Sequence, residues 1–260
     1  MGIVTLTTDF GTADGYVAEM KGVIVSRAPG AVLVDATHEI APGDVEAAAW
    51  ILDRVWDRFP NGTVHLVVVD PGVGSERRAV AIRAAGRWFV GPDNGVATRV
   101  LRRVGGEEAV FLDPDRDGAP PVSPTFHGRD LFAPAAARLA AGDEATGLGD
   151  PIDPKSLVRL ELPEPVQVGH VLRGRVEHVD RFGNLITNIP GARIAPTALI
   201  EVAGTVVSGV RAAYAHGDPG RPVAVVGSGG MLEVSVRDGS AAALLRAGRG
   251  TEVRVRAERD

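Results

Sequence analysis

Residues 64–78 read VHLVVVDPGVGSERR. From Val64 to Val69 the run is apolar at every position but His65. A strand with one wet face alternates apolar and polar residues, so a nearly continuous apolar run marks a strand buried on both faces, as in the middle of a parallel sheet. The run stops at Asp70, and the glycines of Pro71-Gly72-Val73-Gly74 allow a tight turn. Two earlier segments repeat the pattern: Ile3–Thr8 is β-rich and ends at Asp9, and Ala31–Val34 is apolar and ends at Asp35. Between them the period becomes helical. Residues 15–28 place Val17, Met20, Val23 and Ile24 on one face. Residues 44–58 carry a stripe of Val45, Ala48, Ile51, Leu52, Val55 and Trp56 behind Asp44, a suitable N-cap. The β–α–β–α–β order predicts an α/β domain with a mostly parallel sheet flanked by helices.

Further along, 79–90 reads as a hairpin turning at Ala85-Gly86, and 94–103 and 129–141 read as helices. Pro151, Pro154, Pro163 and Pro165 then crowd a stretch without period. Beyond it come short β segments at 171–179, 184–189, 199–208, 222–227, 231–236 and 251–257, with a helical stretch at 240–247. The expected organisation is an α/β domain over 1–155, a linker over 156–169, and a smaller antiparallel all-β, barrel-like domain over 170–260.

The 260 residues are 45% hydrophobic and 23% charged, with a net charge of −5. That balance supports a globular core and offers no basic face for nucleic acid. With no cysteine in the chain, thiolate chemistry and cysteine-ligated metal sites are excluded. No apolar stretch approaches the roughly 20 residues of a membrane span, and the N-terminus lacks a signal-peptide pattern, so a cytoplasmic location is expected.

Three strand-like runs end in an acid: Asp9, Asp35 and Asp70. In open parallel sheets ligands bind beyond the carboxyl ends of strands, so these positions are candidates, although each acid could equally cap the following turn. The 71–78 loop lacks the Gly-Lys-Ser/Thr ending of a phosphate loop. His127 precedes a helix in TFHGRD, beside Arg129 and Asp130. The six histidines show no pair at helical metal-ligand spacing, although a metal-dependent hydrolase using Asp9, Asp35 and Asp70 is a reading to be weighed. In the β half, Asp180-Arg181-Phe182-Gly183-Asn184 offers a carboxylate, an aromatic face and an amide, which suit a purine and a cationic amine. Gly227-Ser228-Gly229-Gly230 offers backbone N–H groups to a carboxylate.

Six segments, in order along nearly the whole chain, carry a resemblance: TLTTDFGTADGYVAEMKG (5–22), VDPGVGSERR (69–78), VGPDNGV (90–96), TFHGRDLFAPAAA (125–137), VDRFGNLITNI (179–189) and VGSGGMLEV (226–234). Together they resemble the S-adenosylmethionine hydrolase (adenosine-forming), or hydroxide adenosyltransferase, family, which is related to fluorinating and chlorinating enzymes. The resemblance implies hydrolysis of S-adenosylmethionine to adenosine and methionine without a cofactor or a metal. It implies a water-holding cluster of Asp70, Arg77 and His127, where the halogenases carry Tyr at the positions of Asp70 and His127. It further implies that Asp9 meets the ribose hydroxyls, Asp14 and Asp180 the methionine ammonium, Asn184 the adenine edge and Ser228 the methionine carboxylate, with Phe182 and Tyr214 flanking the adenine. Gly43 stands where relatives tend to have an aromatic residue, and Gly229 where the halogenases have an Arg. The family forms homotrimers with sites shared between neighbouring subunits. A non-catalytic S-adenosylmethionine or adenosine sensor is the alternative; it would not need Asp70, Arg77 and His127 together.

Overall fold

The computed structural model describes residues 2–117 and 122–257. The chain divides into two compact units, Met1–Glu161 and Leu162–Asp260.

The first unit runs β1 (Ile3–Thr8), α1 (Tyr16–Arg27), β2 (Val32–Thr37), α2 (Val45–Trp56), β3 (Val64–Val68), β4 (Ala79–Ala84), β5 (Arg87–Pro92), α3 (Thr98–Val104) and β6 (Glu108–Leu112). A π-helical turn, Gly128–Phe132, then leads into α4 (Ala133–Ala141), and β7 (Gly149–Pro151) closes the sheet. The strand order is β2-β1-β3-β5-β4-β6-β7. The expectation of a mostly parallel sheet needs correction. The pairs β2–β1, β1–β3 and β3–β5 are parallel, whereas β5–β4, β4–β6 and β6–β7 are antiparallel. The cause is local. Ala85 and Gly86 both take positive φ (44° and 72°), giving a two-residue hairpin that can only return the chain antiparallel. Parallel pairing ends at β3–β5; the β4–β5 hairpin reverses the chain, and β6 and β7, although reached through α3 and α4, add antiparallel to it.

The β3 run is apolar but for His65 because both faces are covered. Val64, Leu66 and Val68 pack with Met20 and Ile24 of α1 and Leu139 of α4. Val67 and Val69 point the other way, among Leu52 and Trp56 of α2 and Val100 and Leu101 of α3. His65, the exception in the run, is fully buried. Its Nδ1 meets Thr5 Oγ1 at 2.8 Å and its ring stacks on Trp56 at 4.7 Å. Burial, aided by the positive Arg87, pushes its pKa down to about 4, so it is neutral and structural. Asp44 caps α2 by accepting from Ala47 N at 3.0 Å.

Residues 156–160 are fastened to this unit. Leu157 is buried in its core, Val158 N donates to Asp93 Oδ1 at 2.9 Å, and Leu160 N donates to Thr98 Oγ1 at 2.9 Å.

The second unit comprises β8 (Val166–Val168), β9 (Val171–Val179), β10 (Leu185–Pro190), β11 (Leu199–Val202), β12 (Thr205–Ser208), β13 (Val210–Arg211), β14 (Pro222–Val226), β15 (Met231–Val236), α5 (Ala241–Leu245) and β16 (Glu252–Arg256). The strands follow the order β12-β11-β16-β9-β10-β15-β14-β13, with β8 added on β9. Strand β9 pairs with β16 through Val171–Arg175 and with β10 through Val176–Val179, so one long strand serves two sheet segments. The expected antiparallel pattern has an exception: β13 runs parallel to β14. The expected 199–208 strand is two strands, because Ala203 and Gly204 turn with positive φ.

Candidate functional site

In the first sheet the chain leaves β1 toward β2 on one side, and β3 lies on the other. At such a switch point the loops beyond the strand ends part and leave a crevice. Asp9 follows β1 and Asp70 follows β3, and both line a cavity of about 510 Å³. His127 and Gly128, at the start of the π-helical turn, line it as well.

Sequence spacing alone would not bring Arg77 to His127. The 70–78 loop folds back on itself: Val73 N donates to Asp70 O (3.2 Å), and Ser75 donates to Gly72 O through N (3.1 Å) and Oγ (2.7 Å). Gly74 has φ +78° and approaches Pro124 so closely that a Cβ there would lie 2.5 Å from the Pro124 carbonyl oxygen. That approach brings the loop against the segment carrying His127. Arg77 Nε then donates to Asp70 Oδ1 and Oδ2 at 3.0 and 2.9 Å, and Arg77 Nη2 also bonds Asp70 Oδ2. The same Nη2 reaches His127 Nδ1 at 2.6 Å, and the guanidinium lies 5.3 Å from the centre of the buried Phe132 ring. The Asp70 and Arg77 side chains are 5% and 11% exposed, so this is a sheltered ion pair, with Nε and Nη2 of the guanidinium both bonded.

The histidine's state follows from its partner. A guanidinium only donates, so His127 Nδ1 must accept and the ring proton sits on Nε2. Burial first, and then the positive Arg77, hold the His127 pKa below its ordinary value; Asp70 and Asp130 oppose this without prevailing. His127 is therefore a neutral ring with an N–H to offer. Asp130 holds the turn beneath it, accepting from Ser123 N at 2.9 Å and from Arg129 Nε at 2.7 Å.

Asp9 is oriented by Gly43 N, which donates to Asp9 Oδ2 at 2.7 Å. The segment after β1 is pinned by Thr8 Oγ1 against His38 Nδ1 (2.9 Å) and by Gly11 N on the His38 carbonyl (2.8 Å). Asp14 lies exposed in the turn before α1 and is not among the described residues lining the cavity. Reading the sequence for acids and histidine missed three rings of the cavity wall, Phe10, Tyr16 and Phe126. They meet edge to face at 5.4–5.9 Å, and Arg129 lies 4.9 Å from Phe126 while pairing with Glu19 at 2.8 Å. All five residues stand inside the quoted motifs, so the signal was present without a role attached.

In the second unit Asp180 and Asn184 close one turn. Asp180 Oδ1 accepts from Phe182 N and Asn184 N, both at 2.9 Å, and Oδ2 accepts from Asn184 Nδ2 at 2.8 Å. The amide of Asn184 is thereby fixed in orientation, with its Oδ1 outside that bond. Phe182, at the tip, is 76% exposed. Tyr214 donates from its hydroxyl to Glu233 Oε2 at 2.5 Å, and Ser228 stands in the exposed 227–230 turn. Among the described residues no three His, Asp or Glu side chains are grouped to hold a metal ion, and no helix is long and apolar enough to cross a membrane.

A cavity beyond the ends of two inner strands, lined by a neutral histidine and an arginine-clamped carboxylate, has the make-up of a small-molecule enzyme site. Residues 4–149 match the SAM hydroxide adenosyltransferase N-terminal domain and residues 174–254 match the corresponding C-terminal domain. The chain belongs to the SAM hydroxide adenosyltransferase family. It is 43% identical to the (R)-S-adenosyl-L-methionine hydrolase of Thermus thermophilus, over 97% of this chain and 98% of that protein. It is 40% identical to the protein of the same name from Salinispora arenicola, over 98% and 97%. The crystal structure of a conserved protein from Thermotoga maritima superposes with a TM-score of 0.90 at 35% identity, covering 97% of this chain and 99% of that one.

Proposed function

We infer that the chain hydrolyses S-adenosyl-L-methionine to adenosine and L-methionine. The observation that carries this reading is the Asp70–Arg77–His127 cluster, whose Asp70 and His127 line the cavity beyond the ends of β1 and β3 while Arg77 joins them. The substrate's sulfonium makes methionine a neutral leaving group, so the site must supply only a placed nucleophile. A water oxygen attacks C5′ in line, the C5′–S bond breaks with its electron pair going to sulfur, and one proton is released. Asp70 is the acceptor for that proton, because His127 Nδ1 is already occupied by Arg77 and its ring offers Nε2–H as a donor. Holding water and carbon in register lowers the barrier by about 7–11 kcal/mol in favourable cases. Asp9 takes the ribose hydroxyls, Asp14 and Asp180 the ammonium, Asn184 the adenine edge and Ser228 the carboxylate, with Phe182 and Tyr214 against the adenine. No cofactor or metal takes part. Turnover in ¹⁸O-labelled water tests the reading: label in the adenosine 5′-hydroxyl supports it, and unlabelled adenosine or no adenosine overturns it.

We further propose a cytoplasmic homotrimer in which each site draws Asp9, Asp70 and His127 from one subunit and Asp180, Asn184 and Ser228 from its neighbour. Family membership and the division of these residues between the two units support this. Mixing inactive Asp70→Ala and Asn184→Ala chains under subunit exchange restores activity if sites are shared. No recovery despite proven exchange rejects the arrangement.

A further inference from the structure

Glu233 is a carboxylate without a part in the reaction outlined above, yet it is 7% exposed on the middle of β15. A buried carboxylate is costly unless its oxygens are used, so its surroundings bear on what it is for. Its Oε2 accepts the Tyr214 hydroxyl at 2.5 Å. Its Oε1 lies over Gly227, where a Cβ would meet it at 1.7 Å. The carboxylate thus fills the space that a side chain at 227 would take, directly under the turn that carries Ser228. That turn is closed by Gly227 N on Met231 O and Gly230 N on Gly227 O, both at 2.9 Å. In register, Glu233 stands opposite Val225 of β14 on one side and Ile186 of β10 on the other. Strand β14 leads into the Ser228 turn, and β10 begins one residue after Asn184.

We propose that Glu233 is a positioning residue that sets Tyr214 and the Gly227–Gly230 turn in one arrangement, and so couples the adenine end of the site to its amino-acid end. The inference rests on the substrate assignments of the preceding subsection. It explains why Gly227 precedes Ser228: any side chain there would displace the carboxylate. It also explains the state of Tyr214, whose phenol is pushed up to about 12 by burial, by its bond to Glu233 and by the negative charges of Glu233 and Asp180.

The test separates the local couple from its use. The chain has two tyrosines, Tyr16 and Tyr214, so tyrosinate absorbance against pH resolves them. In Glu233→Gln the acceptor is kept and the charge is lost, and the high-pH ionisation moves down toward the ordinary tyrosine range; Tyr214→Phe identifies which transition it is. In Glu233→Ala, adenosine and methionine, titrated separately by calorimetry, each bind more weakly by on the order of tenfold, the effect of losing one charge-assisted hydrogen bond. Glu233→Gln recovers most of that loss, which a merely destabilised fold would not show. An unmoved tyrosine transition in Glu233→Gln, or weakening of only one of the two ligands in a folded Glu233→Ala protein, overturns the coupling. Wild-type protein that binds neither ligand overturns the substrate assignments and the coupling with them, while the absorbance titration still reports separately on the Glu233–Tyr214 bond.

Discussion

Replacing Arg77 with Met removes the group on which both Asp70 and His127 depend. In the wild type its Nε bonds both Asp70 oxygens and its Nη2 bonds His127. Met keeps most of the stem but loses the guanidinium over Phe132 and leaves the Asp70 carboxylate, 5% exposed, without those donors. Breaking a buried pair on one side costs about 3–5 kcal/mol of stability. Asp70 borders an open cavity that water can enter, so a value near the lower end, about 3 kcal/mol, is expected here. Turnover should fall by on the order of 10²–10³, about 3–4 kcal/mol of barrier, because the proposed proton acceptor and the ring are no longer held together. The pH profile gives an independent sign. Protonation of His127 removes its Nδ1 lone pair and with it the Arg77 bond, so under the proposed mechanism wild-type activity should be lost as pH falls through the depressed His127 pKa. Without the guanidinium a lowering influence disappears while Asp70 and Asp130 still favour the charged ring, so the acid limb of the variant lies at higher pH than that of the wild type. Chromatographic assay of adenosine across pH, alongside urea unfolding, reads all three quantities. A folded Arg77→Met protein with turnover within tenfold of wild type, or with an unmoved acid limb, refutes the reasoning.

His65 ionises near 4 in the fold and near 6.5 when unfolded, so the unfolded chain binds the extra proton between those values. Stability should therefore decline as pH falls from about 6.5 to about 4, and denaturant midpoints of His65→Leu should be flatter over that window than those of the wild type. Gly74→Ala places a methyl 2.5 Å from the Pro124 carbonyl at a φ of +78°, which should destabilise by about 1–3 kcal/mol and lower kcat by moving Arg77; calorimetric melting and initial rates check this. High chloride or fluoride should give adenosine rather than 5′-halo-adenosine, since Asp70 would repel a halide; product chromatography decides it.

What could be read from the chain before folding was set by how local its cause is. Helices α1 and α2 declare themselves because each buries its own periodic face, strand β3 because its nearly continuous apolar run is buried on both, and Asp44 caps α2 from within that stretch. The parallel-to-antiparallel change was harder to see. It depends on which edge the Ala79–Pro92 hairpin joins, and its strands would look alike on either neighbour. Among the candidate residues, Asp9 and Asp70 were marked by position alone, as acids ending apolar runs. Arg77 and His127 were not, since their meeting requires the Gly74–Pro124 approach across about fifty positions of chain. Glu233 was invisible for a related reason: a Glu in a β segment reads as a solvent-facing residue until Tyr214 and Gly227 are seen to enclose it.

The reversal of strand order between β1 and β3 also bears on how such a site can change over time. The segment carrying Asp9 is anchored by His38 and Gly43, whereas the segment carrying Asp70 and Arg77 is anchored by its own turn and by Pro124. The Asp9 and Asp70 side chains are thus oriented by different neighbours, although the strands that carry them pair directly up to Thr8 and Val68. Under the proposed roles, substitutions beside Asp70 would exchange one attacking species for another while Asp9 keeps its ribose contact, so a lineage could sample new nucleophiles without first giving up its substrate.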